Sequence, residues 1–175
     1  MEEIFEQAKK IKLALFDVDG ILTSGNLTYG PEGIEIKDFH VHDGQGIKFL
    51  KKTGVEIGII TACKTLIIQK RINDLNIEHL YQGTSDKLPA YEDIKAKLNL
   101  NDEEIAYMGD DLPDLPILKR VGFATTAKNA NPIVKEHVHY ITESYGGNGA
   151  AREVCDIIMQ AQGTYKTIID SYLKR

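Results

Sequence analysis

The chain has 175 residues, a formal net charge of −5 and no long Lys/Arg run, so the electrostatic footprint of a nucleic-acid binder is missing. Its 42% hydrophobic content gives it enough apolar residues for a sizeable core, at an ordinary soluble-protein composition. The opening MEEIFEQAKK lacks an apolar signal core, and Cys63 and Cys155 lack metal-ligand spacing, so two reduced thiols and a cytoplasmic location without membrane attachment are expected.

Short apolar runs bounded by turn residues alternate with longer amphipathic stretches. KLALFDV (12–18) reads as a buried strand. GNLTYGPEGIEIKDF (25–39) carries two short alternating runs around a Gly-Pro-Glu-Gly turn and predicts a β-hairpin. GQGIKFLKKTG (44–54) is a helix, VEIGIIT (55–61) a strand, KTLIIQKRINDLN (64–76) a helix and HLYQG (79–83) a shorter strand. KLPAYEDIKAKLNL (87–100) and LPDLPILKRV (112–121) read as helices, and EIAYMGD (104–110) and VGFATT (121–126) as strands. A glycine-rich turn then opens a helix over 146–163, and a polar, partly helical tail follows over 163–175. No linker or repeat divides the chain, so residues 1–175 read as one α/β domain with a mainly parallel sheet and helices on both faces.

In such sheets ligands gather at the carboxyl ends of the strands, and the polar residues there form a coherent set. The first strand runs into Asp17 and Asp19, and the second ends in Thr61. Lys87 opens the helix after the third, and Asp110 and Asp111 follow the fourth, with Asp114 three residues further on. Clustered carboxylates repel one another, and a hard divalent cation such as Mg²⁺ relieves that repulsion while leaving room for a substrate phosphate. A carboxylate beside the metal can attack phosphorus. A second can protonate the leaving alkoxide and then activate water. A threonine hydroxyl and a lysine ammonium suit the phosphoryl oxygens. Taken singly, each residue has an ordinary explanation as a cap or a surface charge; their order at successive strand ends points to phosphoryl transfer.

DVDGILT, the Thr61 strand end, Lys87 and GDDLPD resemble the four motifs of the haloacid dehalogenase superfamily of phosphohydrolases. ILTSGNLTYGPEG, KDFHVHDGQGIKFL, HLYQGTSDKL, AYMGDDLPDLPIL and YGGNGAAREVCDIIMQAQG are similar to one branch of it, the small uncapped 3-deoxy-D-manno-octulosonate 8-phosphate phosphatases. The resemblance covers roughly residues 8–165 and implies a three-layer Rossmann-like fold without a cap domain. It implies that Asp17 is the nucleophile and Asp19 the general acid/base. Mg²⁺ would be held by the Asp17 carboxylate, the Asp19 backbone carbonyl and Asp110, with Asp111 or Asp114 supporting through water. Thr61 and Lys87 would bind the phosphoryl group, and Gly20 would let the backbone approach it. The product would be a lipopolysaccharide precursor. The resemblance further implies a homotetramer in which the hairpin (25–39) and tail (163–175) of neighbouring subunits close the site.

Two departures from the family pattern bear on the sugar. Ala62-Cys63-Lys64 stands where Gly-Arg usually follows the motif-two threonine, and His42 stands where an Arg usually precedes Asp43. Both remove a guanidinium, whose planar fork suits a carboxylate. Lys64 or Lys128 is a candidate point-charge substitute, and Arg152 matches the family as a candidate ligand for the sugar acid's carboxylate. A nine-carbon ulosonate 9-phosphate is therefore the alternative substrate. His40 and His42 at i, i+2 would share a face of a strand, but no further metal ligand lies near them in sequence, and sugar contacts or surface positions are the simpler reading. A phospho-receiver module is the rival from another class. Its phosphoacceptor sits on a later strand, without a second Asp two residues on.

Overall fold

Alternation along the strands sends side chains into two separate cores. Residues 2–174 are described by a computed structural model. Six strands, β1 (Leu13–Phe16), β4 (Glu56–Thr61), β5 (His79–Gln82), β6 (Ile105–Met108), β7 (Phe123–Thr126) and β8 (Tyr140–Ile141), form one sheet in the order β5-β4-β1-β6-β7-β8. Every pairing in it is parallel. Ala14 and Phe16 of β1 enter one core with Ile57, Ile59, Ala106 and Met108, while Leu13 and Leu15 enter the other with Ile60, Ile105 and Tyr107.

The first core is covered by α1 (Glu2–Ala8), α2 (Val41–Lys52), α3 (Leu66–Asp74) and α7 (Ala150–Ala161). The second is covered by α4 (Leu88–Leu98), α5 (Leu115–Leu118) and α6 (Pro132–Lys135). The result is the expected three-layer arrangement, and no cap domain interrupts it among the described residues. The hairpin is also as expected: β2 (Thr28–Tyr29) and β3 (Glu35–Ile36) pair antiparallel around a tight turn at Pro31–Gly33. Leu27 and Tyr29 on one face of the hairpin, and Ile34 and Ile36 on the other, are exposed.

Several elements differ from the sequence expectation, each for a local reason. The helix predicted over 112–121 is a 3-10 turn, Leu112–Asp114, followed by a four-residue α5; Pro113 and Pro116 each withhold a backbone donor. α2 starts at Val41, three residues early, so His42 lies in a helical first turn and not on a strand. His40 and His42 therefore do not share a strand face; their rings meet edge-on, with centroids 5.0 Å apart. Strand β8 is too short to announce itself by alternation. The tail forms α8 (Tyr165–Leu173), and Tyr172 sets its ring edge-on against Phe49 of α2 in the same chain, centroids 5.6 Å apart. No helix among the described residues is long and apolar enough to cross a membrane.

Candidate active site

Chain order places the site. After β1 the sheet grows to β4 and β5 on one side, then returns to add β6, β7 and β8 on the other. The carboxyl end of β1 is thus the switch point, where crevices open in α/β sheets. A cavity of about 280 Å³ opens there, lined among others by Asp17, Asp19, Thr61, Lys87, Asp110, Asp111 and Asp114. Larger hollows lie elsewhere, such as one of about 800 Å³ beside Lys10 and Glu104, but surface ion pairs and not convergent buried groups line it.

Lys87 organises the cavity. It directly precedes α4 and is buried, with Nζ 2.9 Å from Asp17 Oδ2 and 2.7 Å from Asp114 Oδ1. Burial works against its charge, but the two carboxylates outweigh it and hold the ammonium above its ordinary value. Asp17 Oδ1 accepts the Val18 N–H at 2.7 Å. Burial pushes the Asp17 carboxyl up to about 7, with Lys87 opposing the rise and Asp114 adding to it. Asp110 also rises to about 7, again through burial, then through its neighbours Asp114 and Asp111.

Carboxylate oxygens of Asp17, Asp110 and Asp114 lie within 4.8 Å of one another. Two carboxyls whose charge is disfavoured by burial, next to a third, are a donor set that a divalent cation fits. Asp114 is the most committed of the three. Its Oδ1 accepts Lys87 and the Tyr107 hydroxyl at 2.5 Å, and its Oδ2 accepts the backbone N–H groups of Asp110 and Asp111 at 3.0 and 3.1 Å. Asp114 thus holds the loop in shape, whereas each Asp17 oxygen takes a single donor, the Val18 N–H or Lys87 Nζ. Asp111 is exposed, and Asn131 Nδ2 donates to its Oδ1 at 3.0 Å.

Glycine is required at two of these turns. Gly20 has φ +88°, and a Cβ there would lie 2.0 Å from Asp110 Oδ2. The close approach that needs Gly20 is therefore to a carboxylate of the cluster. A Cβ on Gly109 would lie 2.3 Å from Asp114 Cγ. Thr61 is buried at the end of β4, where its Oγ1 accepts the Cys63 N–H at 3.2 Å. The cap of α3 is a different residue, Thr65, which accepts from Ile68 N. Thr61 is thus free of helix capping and faces the cavity.

A haloacid dehalogenase-like hydrolase model matches residues 77–154. The 3-deoxy-D-manno-octulosonate 8-phosphate phosphatase KdsC of Yersinia pestis is 42% identical over 161 residues, 92% of this chain and 86% of that protein. The chain belongs to this phosphatase family. A Pseudomonas syringae structure described as a probable yrbi family phosphatase superposes with TM-score 0.97 at 48% identity, covering 99% of this chain and 98% of that one. The Moraxella catarrhalis 3-deoxy-D-manno-octulosonate 8-phosphate phosphatase, solved with magnesium, phosphate and KDO, superposes with TM-score 0.96 at 41% identity, covering 98% and 99%.

Within this phosphatase, the residues singled out for the sugar do not all meet. Ala62 and Cys63 line the cavity, so an uncharged wall stands where the family usually carries a guanidinium. Burial, opposed by Lys37, raises the Cys63 thiol. Lys64 is exposed outside the lining. His42 and Arg152 line a separate hollow of about 550 Å³. There the Arg152 Nε is committed to Asp156, at 2.8 and 2.9 Å, and the guanidinium lies over the Phe49 ring. Two participants escaped the sequence reading. Tyr107 shows only as one residue in an alternating strand, and Lys37 only as the partner of Glu35 in the alternation of IEIKDF.

The two raised carboxyls make a prediction about metal and pH. For an acid whose folded value exceeds its unfolded one, the metal-free fold loses stability as pH rises from the ordinary carboxylate range to about 7, and the loss is complete above it. Mg²⁺ should therefore raise the Tm of this phosphatase more at pH 8 than at pH 6. Its apparent affinity should fall about tenfold per pH unit for each displaced proton below the raised values. Titration calorimetry in two buffers of different ionisation enthalpy reads the protons released; none released at pH 6 would show the carboxyls already ionised.

Proposed function

We propose that this phosphatase hydrolyses 3-deoxy-D-manno-octulosonate 8-phosphate to the free sugar acid and inorganic phosphate, with Mg²⁺ as cofactor. The observation that carries the reading is the cavity itself: a lysine-paired carboxylate, Asp17, beside a second carboxylate, Asp19, in a cavity of about 280 Å³ at the strand end. The sugar acid extends outward from it.

Asp17 attacks phosphorus and becomes an aspartyl phosphate. Asp19 protonates the departing sugar oxygen, then takes a proton from the water that cleaves the acyl phosphate. Lys87 neutralises charge on the transferring group, held in place by Asp114, and the Thr61 hydroxyl donates to a phosphoryl oxygen. The Asp17 carboxylate, the Asp19 carbonyl and Asp110 would hold Mg²⁺, with Asp111 and Asp114 in support, and the bound ion would supply positive charge to the phosphoryl group. An open cavity of this size leaves the sugar exposed to water, and the hairpin exposes apolar side chains on both its faces, Leu27 and Tyr29 on one and Ile34 and Ile36 on the other, which are available for burial. We infer a homotetramer in which the hairpin and tail of neighbouring subunits close the site, with His42, Lys64 or Arg152 the candidates to meet the sugar's carboxylate.

The test is phosphate release at equal Mg²⁺ from octulosonate 8-phosphate, nonulosonate 9-phosphates and hexose phosphates. The octulosonate ester is expected to give the highest kcat/KM. A preference for a nine-carbon ester would move the substrate by one carbon, as the uncharged Ala62-Cys63 wall allows; a preference for hexose phosphates would refute the ulosonate reading.

A further inference from the structure

Lys37 lies at the foot of the hairpin, directly after β3, and its side chain is 2% exposed. Its Nζ stands 2.6 Å from Asp19 Oδ1 and 2.8 Å from Glu35 Oε1. Asp19 itself is about one-third exposed, at 36%, and lines the cavity. A hairpin of two residue pairs does not need a buried ammonium: such ions carry a desolvation cost that their ion pairs seldom exceed by much. A long lysine side chain also surrenders its rotamer freedom when fixed. What the contact does accomplish is orientation. With Oδ1 engaged by Lys37, the Asp19 carboxyl is held in one orientation and Oδ2 is the oxygen left over. Glu35, two residues earlier on the same strand face, holds the ammonium from its other side.

We propose that Lys37 is a positioning residue for the reaction, acting through Asp19. This rests on Asp19 being the general acid and base. In the first half-reaction the Asp17 oxygen forms its bond to phosphorus, the bond from phosphorus to the sugar oxygen breaks, and Asp19 Oδ2–H delivers its proton to that oxygen. In the second, Oδ2 takes a proton from water as the water oxygen bonds phosphorus and the bond from phosphorus to the Asp17 oxygen breaks, returning the Asp17 carboxylate. Lys37 keeps its own protons throughout; its part is to keep Oδ2 aimed at the reacting oxygen.

The leaving group distinguishes this role from a structural one. Nitrophenolate departs without a proton, whereas a sugar alkoxide needs one. Rapid-quench measurement of phosphoenzyme formation is therefore made with octulosonate 8-phosphate and with p-nitrophenyl phosphate. For Lys37→Met, formation from the sugar ester should slow by about 10–100-fold, with KM and the nitrophenyl rate each within about threefold of wild type. Lys37→Arg should recover most of the loss. Equal losses on both esters, a rise in KM alone, or no loss would overturn the proposal. Should Lys37→Met fail to fold, Glu35→Gln decides the matter, since it frees the ammonium but leaves the Asp19 contact; it should show the same leaving-group pattern, more weakly. Asp19→Asn serves as reference. If Asp19→Asn shows the leaving-group dependence and Lys37→Met does not, only the role of Lys37 fails. If Asp19→Asn lacks it, the acid–base reading fails with it.

Discussion

Asp17→Asn is expected to lower phosphate release by at least about 10³–10⁴-fold, the scale on which removal of other covalent nucleophiles is felt. The substitution is nearly isosteric, and its remaining oxygen still accepts the Val18 N–H that the aspartate holds at 2.7 Å. What is lost is the anionic oxygen facing Lys87 Nζ, at 2.9 Å, and with it any route to an acyl phosphate. The measurement that isolates this is acid-quench labelling from a phosphorus-labelled ester: wild-type enzyme should carry label, and Asp17→Asn none. Asp19→Asn should still take label from an aryl ester, because that leaving group needs no proton, and then release it slowly. Phosphate release by Asp17→Asn at near wild-type rate would end the covalent mechanism.

Lys87→Met should be the most destabilising single change in the site. Its ammonium is the common partner of Asp17 and Asp114, and breaking a buried ion pair by removing one side costs about 3–5 kcal/mol. Methionine fills most of the same space, so the loss reports charge and not a cavity. The cost should also depend on pH. With its cation removed, the Asp17 carboxyl keeps its proton to higher pH, so the deficit against wild type is greatest above about pH 7 and shrinks as acid neutralises that group. Urea midpoints at pH 8 and pH 5.5 would show it; an equal deficit at both would mean that packing, not charge, is what Lys87 contributes. Turnover should fall as well, since the phosphoryl group loses its buried cation.

The catalytic constellation was legible because strand-end position is a sequence property. LFDVD, VEIGIIT and AYMGDD each place their polar residues directly after an apolar run, and a parallel sheet brings such ends to one edge. Asp114 was legible as an acid but not as the acceptor of four hydrogen bonds, because Tyr107 donates from inside the strand and Lys87 from a helix start on the other side of β1. Lys37 was hidden for the reason that an alternating Glu-x-Lys pair usually signals a solvated face, and only the fold of the hairpin buries it. His42 was misplaced by three residues of helix: VHDG has weak helix formers, but Asp43 is buried under α7, where it accepts the N–H groups of Gly149 and Arg152 at 3.2 and 2.9 Å, and that contact holds the first turn of α2 in place. The sugar-binding residues were the least legible, since single positions around an open mouth have no periodicity to read.

The position of β1 in the sheet also bears on how the protein is made. Leu13 pairs with Glu56 on one side and with Ile105 on the other, so a nascent chain carries an open β1 edge until residues beyond 105 have emerged. At ~5–20 residues per second of synthesis, that interval lasts roughly 5–20 s. Parallel, non-local pairing of this kind is intrinsically slow and leaves unsatisfied strand edges exposed. Asp110 and Asp114 arrive with the same late segment as β6. A ribosome-bound fragment ending before it would hold Asp17, Asp19, Thr61 and Lys87, yet remain inactive, and the onset of catalysis marks the moment the second half of the sheet docks.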